Sequence, residues 1–285
     1  LKKVDASAMG AAEASTSGCR NIDIGNTADI HMRSILTQTL EAYDIEGITQ
    51  TINERGYVKV PGIIPLEIVD RARELVAGYL TAEATEATRN ARTQRVGQLA
   101  VKHQLFRDLM CHPVVLAVWK EFLGDNCFCG TWSANTTFPG FNTYGWHIDY
   151  PYWSIQQPWP GGNISGQTLW MLDDLTPENG ATGVVPYSHT LGCPPAQPTD
   201  VWRSDGELLT GKGGDVVFGH GAWYHSARPN TTSKPRTVLL GMYMSACIIP
   251  QEDMHGQLAE IENPSELVVK VMGGKQHKPR NVGAK

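Results

Sequence analysis

No apolar run in this chain of 285 residues approaches the roughly 18 consecutive residues that a membrane-crossing helix needs. The N-terminus also lacks the basic patch followed by a hydrophobic stretch that marks a secretory leader. A basic excess is missing too. The 24 Lys and Arg stand against 29 Asp and Glu, a net charge of −5, so nothing draws the molecule generally to nucleic acid or to anionic lipid. The expected partner is a small-molecule substrate, with no nucleic acid and no membrane. Cysteine is sparse: Cys19, Cys111, Cys127, Cys129, Cys193 and Cys247 have neither the density nor the spacing of a disulfide scaffold. A single residue separates Cys127 from Cys129, and no second Cys/His pair stands at zinc-finger spacing, which argues against a structural zinc. The expected compartment is reducing and cytoplasmic, with organelle targeting left open because the chain opens on Leu1. No internal repeat is present. No Gly-x-Ser-x-Gly elbow surrounds Ser188, so Ser188 and His189 are not read as a hydrolase pair.

What is present is an ordinary globular composition, 41% hydrophobic and 19% charged. Residues 1–35 are rich in Ala, Ser, Gly and Thr and are expected to form an irregular extension. Ile35, Leu36, Leu40, Tyr43, Ile48 and Ile52 then recur at helical spacing and lead into a short strand from Tyr57 to Val60, stopped by Pro61-Gly62. Pro65 opens a stronger helix through Leu80, with Ile68, Ala72, Leu75, Val76 and Tyr79 on one face. A third helix is expected over His112 to Phe122. After Gly124 the runs are short and β-prone: Cys127 to Asn135, Gly145 to Tyr150, Gln167 to Leu172, Gly183 to Pro186, Asp215 to Phe218 and Thr237 to Ser245. Helices followed by many short strands predict an α+β chain whose catalytic unit is a β-sandwich or barrel. The division is an extension over 1–35, a single domain over 36–262 and a C-terminal tail over 263–285, in which Leu267 to Met272 is the one apolar patch.

In Trp146-His147-Ile148-Asp149-Tyr150 the His and Asp are two apart on an expected strand, so both side chains leave the same face. A core His–Asp hydrogen bond would explain the pair equally well. Downstream, Gly214 to His225 reads as a strand and a Gly-rich turn delivering two imidazoles, His220 and His225. Two His and one carboxylate on an iron leave three positions open for an oxidisable co-substrate and O₂, whereas zinc has no redox chemistry to exploit such openness. From chemistry alone His220 and His225 have equal claims. Arg236 follows the turn at Pro229-Asn230 and opens an apolar run; its planar fork suits a carboxylate in two-point contact. An exposed strand-end arginine is the plainer alternative.

The chain resembles the phytanoyl-CoA dioxygenase family of Fe(II)/2-oxoglutarate oxygenases over about residues 45 to 250. Gly56 to Gly62 with the helix from Pro65 resembles the family's entry segment, and His147-x-Asp149 its first iron motif. Leu169 to Asp174, Glu178 to Ala181 and Val185 to His189 resemble the middle block. Trp223-Tyr224-His225 through Pro229-Asn230 to Arg236 resembles the closing block, in which the last iron-binding His precedes the 2-oxoglutarate-binding Arg by eleven positions, as His225 precedes Arg236 here. The resemblance therefore selects His225 over His220. It implies a double-stranded β-helix (jelly-roll, cupin-like) core with flanking N-terminal helices. It further implies Fe(II) held by His147, Asp149 and His225, with 2-oxoglutarate and O₂ as co-substrates and Arg236 on the far carboxylate. Trp153 matches an aromatic position lining the co-substrate site in related hydroxylases. Relatives place a Ser two residues after the distal His; here that position is Ala227, and Thr131 and Asn135, on one face of the expected upstream strand, are candidates for the missing polar contact.

The implied activity is oxidation of an unactivated C–H bond (hydroxylation, desaturation or ring formation) of a small specialised metabolite, with release of succinate and CO₂. Halogenases of this type replace the carboxylate with Gly or Ala, so Asp149 points away from halogenation. Trp146, Trp153, Trp159, Trp170, Trp223, Tyr150, Tyr152 and Tyr224 crowd the motifs and would suit a flat, cyclic or cationic metabolite. No basic groove for a CoA pyrophosphate stands out. The alternatives are a zinc- or other metal-dependent hydrolase or isomerase, and a non-catalytic binding module, on the same barrel.

Overall fold

A computed structural model describes residues 40–274. The helices are α1 (Ile45–Arg55), α2 (Leu66–Ala82), α3 (Glu86–Ala91), α4 (Leu99–Lys102), α5 (Gln104–Met110), α6 (Pro113–Leu123), α7 (Met254–Glu260) and α8 (Glu266–Val271). The strands are β1 (Tyr57–Val60), β2 (Thr93–Val96), β3 (Phe128–Thr137), β4 (Ser165–Met171), β5 (Gly183–Val185), β6 (Glu207–Leu208), β7 (Val216–His220), β8 (Tyr224–Ser226) and β9 (Arg236–Met244).

Local chemistry sets the ends of the helices. Asp44 caps α1 by accepting from the Gly47 N–H, and Gly56 ends it in the left-handed region at φ 95°. A Cβ at Gly56 would lie 2.7 Å from His189 Nδ1, so both the conformation and the close approach require glycine. Pro113 opens α6, where its missing N–H costs nothing, and the apolar period of that helix buries Val114, Val115, Val118, Trp119 and Phe122.

The strands form two sheets, a six-stranded one in the order β1-β7-β4-β9-β3-β2 and a three-stranded one in the order β6-β5-β8. All pairings are antiparallel. The two-residue side-chain period divides the large sheet cleanly. Trp132, Trp170, Phe218, Leu239 and Tyr243 pack against the helices. Their neighbours Leu169, Met171, Val217 and Val238 face inward and pack with Val184 and Trp223, which belong to the small-sheet side. The result is the double-stranded β-helix, with helices banked on the outer face of the large sheet.

Residues 145–150, expected as a strand, make only one isolated antiparallel bridge, between His147 and His225. The flanking Gly145 and the Pro151 that follows keep the segment from extending into a ladder. The apolar patch of the tail forms α8, which adds Val268, Val271 and Met272 to the main core. The extension read over residues 1–35 and the end of the tail lie outside the described residues. Among the described residues no helix is long and apolar enough to cross a membrane.

Candidate metal centre

The bridge between His147 and His225 is the foundation of the site. Each N–H donates to the other residue's carbonyl, at 3.0 and 3.1 Å, so the two side chains leave the same side and the ring centroids stand 4.2 Å apart. His147 Nδ1 lies 2.6 Å from the Gly145 carbonyl, and His225 Nδ1 lies 3.3 Å from that of Trp223. A carbonyl can only accept, so both Nδ1 atoms carry the proton and both Nε2 atoms are left as bare lone pairs. Those lone pairs converge on Asp149: His147 Nε2 is 3.8 Å from Oδ1 and His225 Nε2 is 3.4 Å from Oδ2. Asp149 Oδ2 is buried with no hydrogen-bond partner. Burial first, then the neighbouring His147, pushes the His225 imidazole down to about 4, so it is neutral at ordinary pH. Three acceptor atoms, one of them a partnerless buried carboxylate oxygen, thus meet with ligand atoms all within 4.8 Å of one another. Such a cluster repels itself unless a cation sits among it, and this donor set fits a divalent metal. From His225 through Asp149 to His147 the side chains become steadily more open, 9%, 20% and 51% exposed, so the centre lies at a mouth.

His220 is excluded from this group by the fold. It ends β7 in the large sheet, with its ring turned to the helical side between Phe122, Tyr152 and His189, and its Nδ1 accepts from the Ala222 N–H at 3.0 Å. It lines a separate crevice of about 340 Å³ with Asn53, Trp159 and Asn163. His189 is equally removed, with Nε2 on the Asn53 carbonyl at 2.8 Å. Ser188 Oγ donates to the Val185 carbonyl and accepts from the Tyr224 N–H, so the pair is not a nucleophile and its base.

Arg236 opens β9 on the inner face and is only 2% exposed. One guanidinium nitrogen, Nη2, donates to the Gly180 carbonyl at 2.6 Å, Nε has no partner, and among the described residues no carboxylate stands within ion-pair distance of it. Burial pulls its pKa down to about 10, which still leaves it charged at neutral pH. A buried guanidinium that no carboxylate touches, its charge offset only by the nearby Asp173, fits an anionic ligand and disposes of the exposed strand-end reading.

The remaining candidates separate. Asn135 lies on the same inner face, paired in register with Val238, two residues along β9 from Arg236. Thr131 is at the other end of β3, about 20 Å from the Arg236 end at ~3.3 Å per residue, and its hydroxyl donates to Glu252 at 2.5 Å. It is not brought together with Arg236. Trp153 stands 60% exposed in a short 3-10 turn, its ring edge against Tyr150 at 5.8 Å. Of the other aromatics named from the sequence, Trp146, Trp170, Trp223, Tyr152 and Tyr224 are buried in the core, leaving Tyr150, Trp153 and Trp159 to reach the surface. Asp173 and Asp174 serve as the strand-end pair expected, accepting from the Thr237 and Gly213 N–H groups.

One residue was missed. Arg95 on β2 bears electrostatically on His225, is exposed, and makes no ion pair among the described residues. Its signal was faint, one charged residue in a four-residue edge strand.

A double-stranded β-helix carrying two histidines and a carboxylate at its mouth defines the non-haem metal oxygenase class. The phytanoyl-CoA dioxygenase (PhyH) family model matches residues 52–238, and the chain belongs to that family. The chain is 28% identical over 215 residues to Dioxygenase af480 of Aspergillus fumigatus, covering 71% of this chain and 67% of that one. Among solved structures, the non-haem alpha ketoglutarate dependent carbocyclase SnoK from nogalamycin biosynthesis superposes with TM-score 0.59 at 21% identity, over 81% of this chain and 97% of its own. HygX from Streptomyces hygroscopicus, with nickel and 2-oxoglutarate bound, superposes with TM-score 0.61 at 17% identity, over 72% and 89%. These likenesses establish the shared fold. The protein is a non-haem iron, 2-oxoglutarate-dependent dioxygenase.

Proposed function

We propose that His147, Asp149 and His225 hold Fe(II), that Arg236 holds the far carboxylate of 2-oxoglutarate, and that the enzyme oxidises an unactivated C–H bond of a small specialised metabolite. The observation that carries the reading is the convergence of two bare Nε2 lone pairs on a buried, partnerless carboxylate oxygen. When bound, iron and 2-oxoglutarate supply the oxidising power, with succinate and CO₂ released.

The chain's own residues supply placement. The Gly145 and Trp223 carbonyls fix the imidazole tautomers and aim Nε2 at the ion. Arg236 gives the co-substrate its orientation from inside the barrel, and the apolar inner wall of Leu169, Met171, Val217 and Val238 keeps water from the reacting centre. Arg95 adds a second positive charge near the mouth. The presence of Asp149 supports hydroxylation, desaturation or ring formation over halogenation. The likeness to the carbocyclase of nogalamycin biosynthesis and to HygX, which has been crystallised with hygromycin B, supports a specialised metabolite as substrate. Tyr150 and Trp153 are the aromatic surfaces open to it.

Anaerobic titration of the apo-protein with Fe(II) and then 2-oxoglutarate tests this. The expected result is a weak visible charge-transfer band that Arg236→Leu shifts to much higher 2-oxoglutarate concentration at unchanged iron content. Iron bound without any such band would overturn the co-substrate reading.

A further inference from the structure

The sequence leaves the far carboxylate of 2-oxoglutarate with a single named contact, because Ala227 stands where related enzymes place a serine. The fold offers a replacement from the opposite strand. Thr137 ends β3 and is the direct cross-strand partner of Arg236, so the two Cα atoms stand about 4.5–5.5 Å apart with side chains on one face. That face is the inner one, shared with Asn135 and Val238. Thr137 is 1% exposed and its Oγ1 has no hydrogen-bond partner, and the adjacent Arg236 Nε is likewise buried without one. Ser133 Oγ on the same face is also without a partner, but it lies four residues back along β3, opposite Leu240, and the hydroxyls next to Thr137 are satisfied. Thr136 Oγ1 pairs with Thr237 Oγ1 at 2.9 Å, and Thr93 donates to the Thr136 carbonyl. An unpaired hydroxyl beside a guanidinium whose Nε is unpaired and whose Nη2 is held only by the Gly180 carbonyl, both sealed inside the barrel, is costly unless a ligand completes them. A water molecule would satisfy the hydroxyl and bring no negative charge to the guanidinium, which Asp173 offsets only from beyond ion-pair distance. A carboxylate satisfies both.

We propose that Thr137 Oγ1 and the Arg236 guanidinium together clamp the far carboxylate of 2-oxoglutarate, the hydroxyl donating to one oxygen and the guanidinium to the other. This rests on the co-substrate reading above. Thr131 is committed to Glu252 at the opposite end of β3, and Asn135 stands two residue pairs further from Arg236 than Thr137 does. Thr137 is a positioning residue for the co-substrate and has no part in the chemistry at the metal.

The test compares two ligands on the Fe(II)-loaded protein without oxygen, by calorimetry: 2-oxoglutarate, and 2-oxopentanoate, which has the same keto-acid head and a methyl group in place of the far carboxylate. Thr137→Val is expected to weaken 2-oxoglutarate by about tenfold, as for one hydrogen bond to a charged group, and to leave 2-oxopentanoate unchanged. Thr137→Ser is expected to restore the wild-type preference. A Thr137→Val protein that binds 2-oxoglutarate as well as wild type, or that loses both ligands equally, overturns the clamp. If the wild-type protein itself shows no preference for 2-oxoglutarate, the co-substrate reading falls and the clamp with it, and that failure is seen before any variant is made.

Discussion

At the scale of the residue, the centre is organised by what its groups lack. Asp149 Oδ2 has no donor, and the Nδ1 of both His147 and His225 is turned to a backbone carbonyl. Removing the negative charge should therefore relieve the metal-free protein and disable the loaded one. Asp149→Asn is expected to leave the melting temperature of the apo-protein unchanged or raised, and to abolish the further rise that Fe(II) gives the wild type. Scanning calorimetry with and without the ion reads both arms; a variant still protected by Fe(II) would remove Asp149 from the ligand set. His220→Ala, by contrast, should keep one iron per chain by metal analysis, since its ring faces the helices. The His-x-Asp pair was legible in the sequence. The choice between His220 and His225 was not legible from chemistry, because two imidazoles five residues apart look alike until the Gly221–Trp223 turn sends one to each sheet. That choice came from the family resemblance, in which the last iron-binding His precedes the Arg by eleven positions. The unpaired hydroxyl of Thr137 was invisible too, since a threonine at the end of a strand says nothing about its cross-strand partner.

At the scale of the element, legibility followed apolar periodicity. The long helices α2 and α6 and the strands β3, β4, β7 and β9 bury continuous runs, and their expected bounds lie within a few residues of the observed ones. The edge strands β2 and β6 were missed. They have four and two residues with mixed burial, and pairing to a neighbour rather than their own pattern makes them strands. Close packing between elements was also out of reach. A Cβ at Gly219 on β7 would lie 2.7 Å from the Trp223 ring, which in turn stands 5.2 Å from the His225 ring. Gly219→Ala should push that indole toward the metal ligand. The expected cost is roughly 1–3 kcal/mol of stability from overpacking, together with weaker iron binding. Chemical denaturation and a metal-competition titration measure the two effects, and a loss of stability with iron affinity intact would show that Trp223 does not brace His225.

At the scale of the whole molecule, the fold keeps the polar chemistry on the inner face and stacks Trp119, Trp132, Trp170 and Tyr243 on the helical side, where His112 is caught among them. Its ring is fully buried, edge-on to Trp170 at 6.1 Å, and neither nitrogen has a hydrogen-bond partner. Burial pushes its pKa from 6.5 down to about 4. Below pH 6.5 the unfolded chain takes up a proton there that the folded chain refuses until about pH 4, so stability that is complete above 6.5 is lost progressively as the pH falls through that window. The loss for this one group is on the order of 3 kcal/mol. His112→Phe keeps a ring against Trp170 and removes the titration. Urea unfolding of the apo-protein at several pH values between 7.5 and 4.5 should then show a distinctly shallower decline for the variant than for wild type. His220, pushed down to about 3 by burial, should sustain a residual slope of the same sign. Parallel declines in the two proteins would mean that the acid sensitivity of this fold arises from groups other than His112.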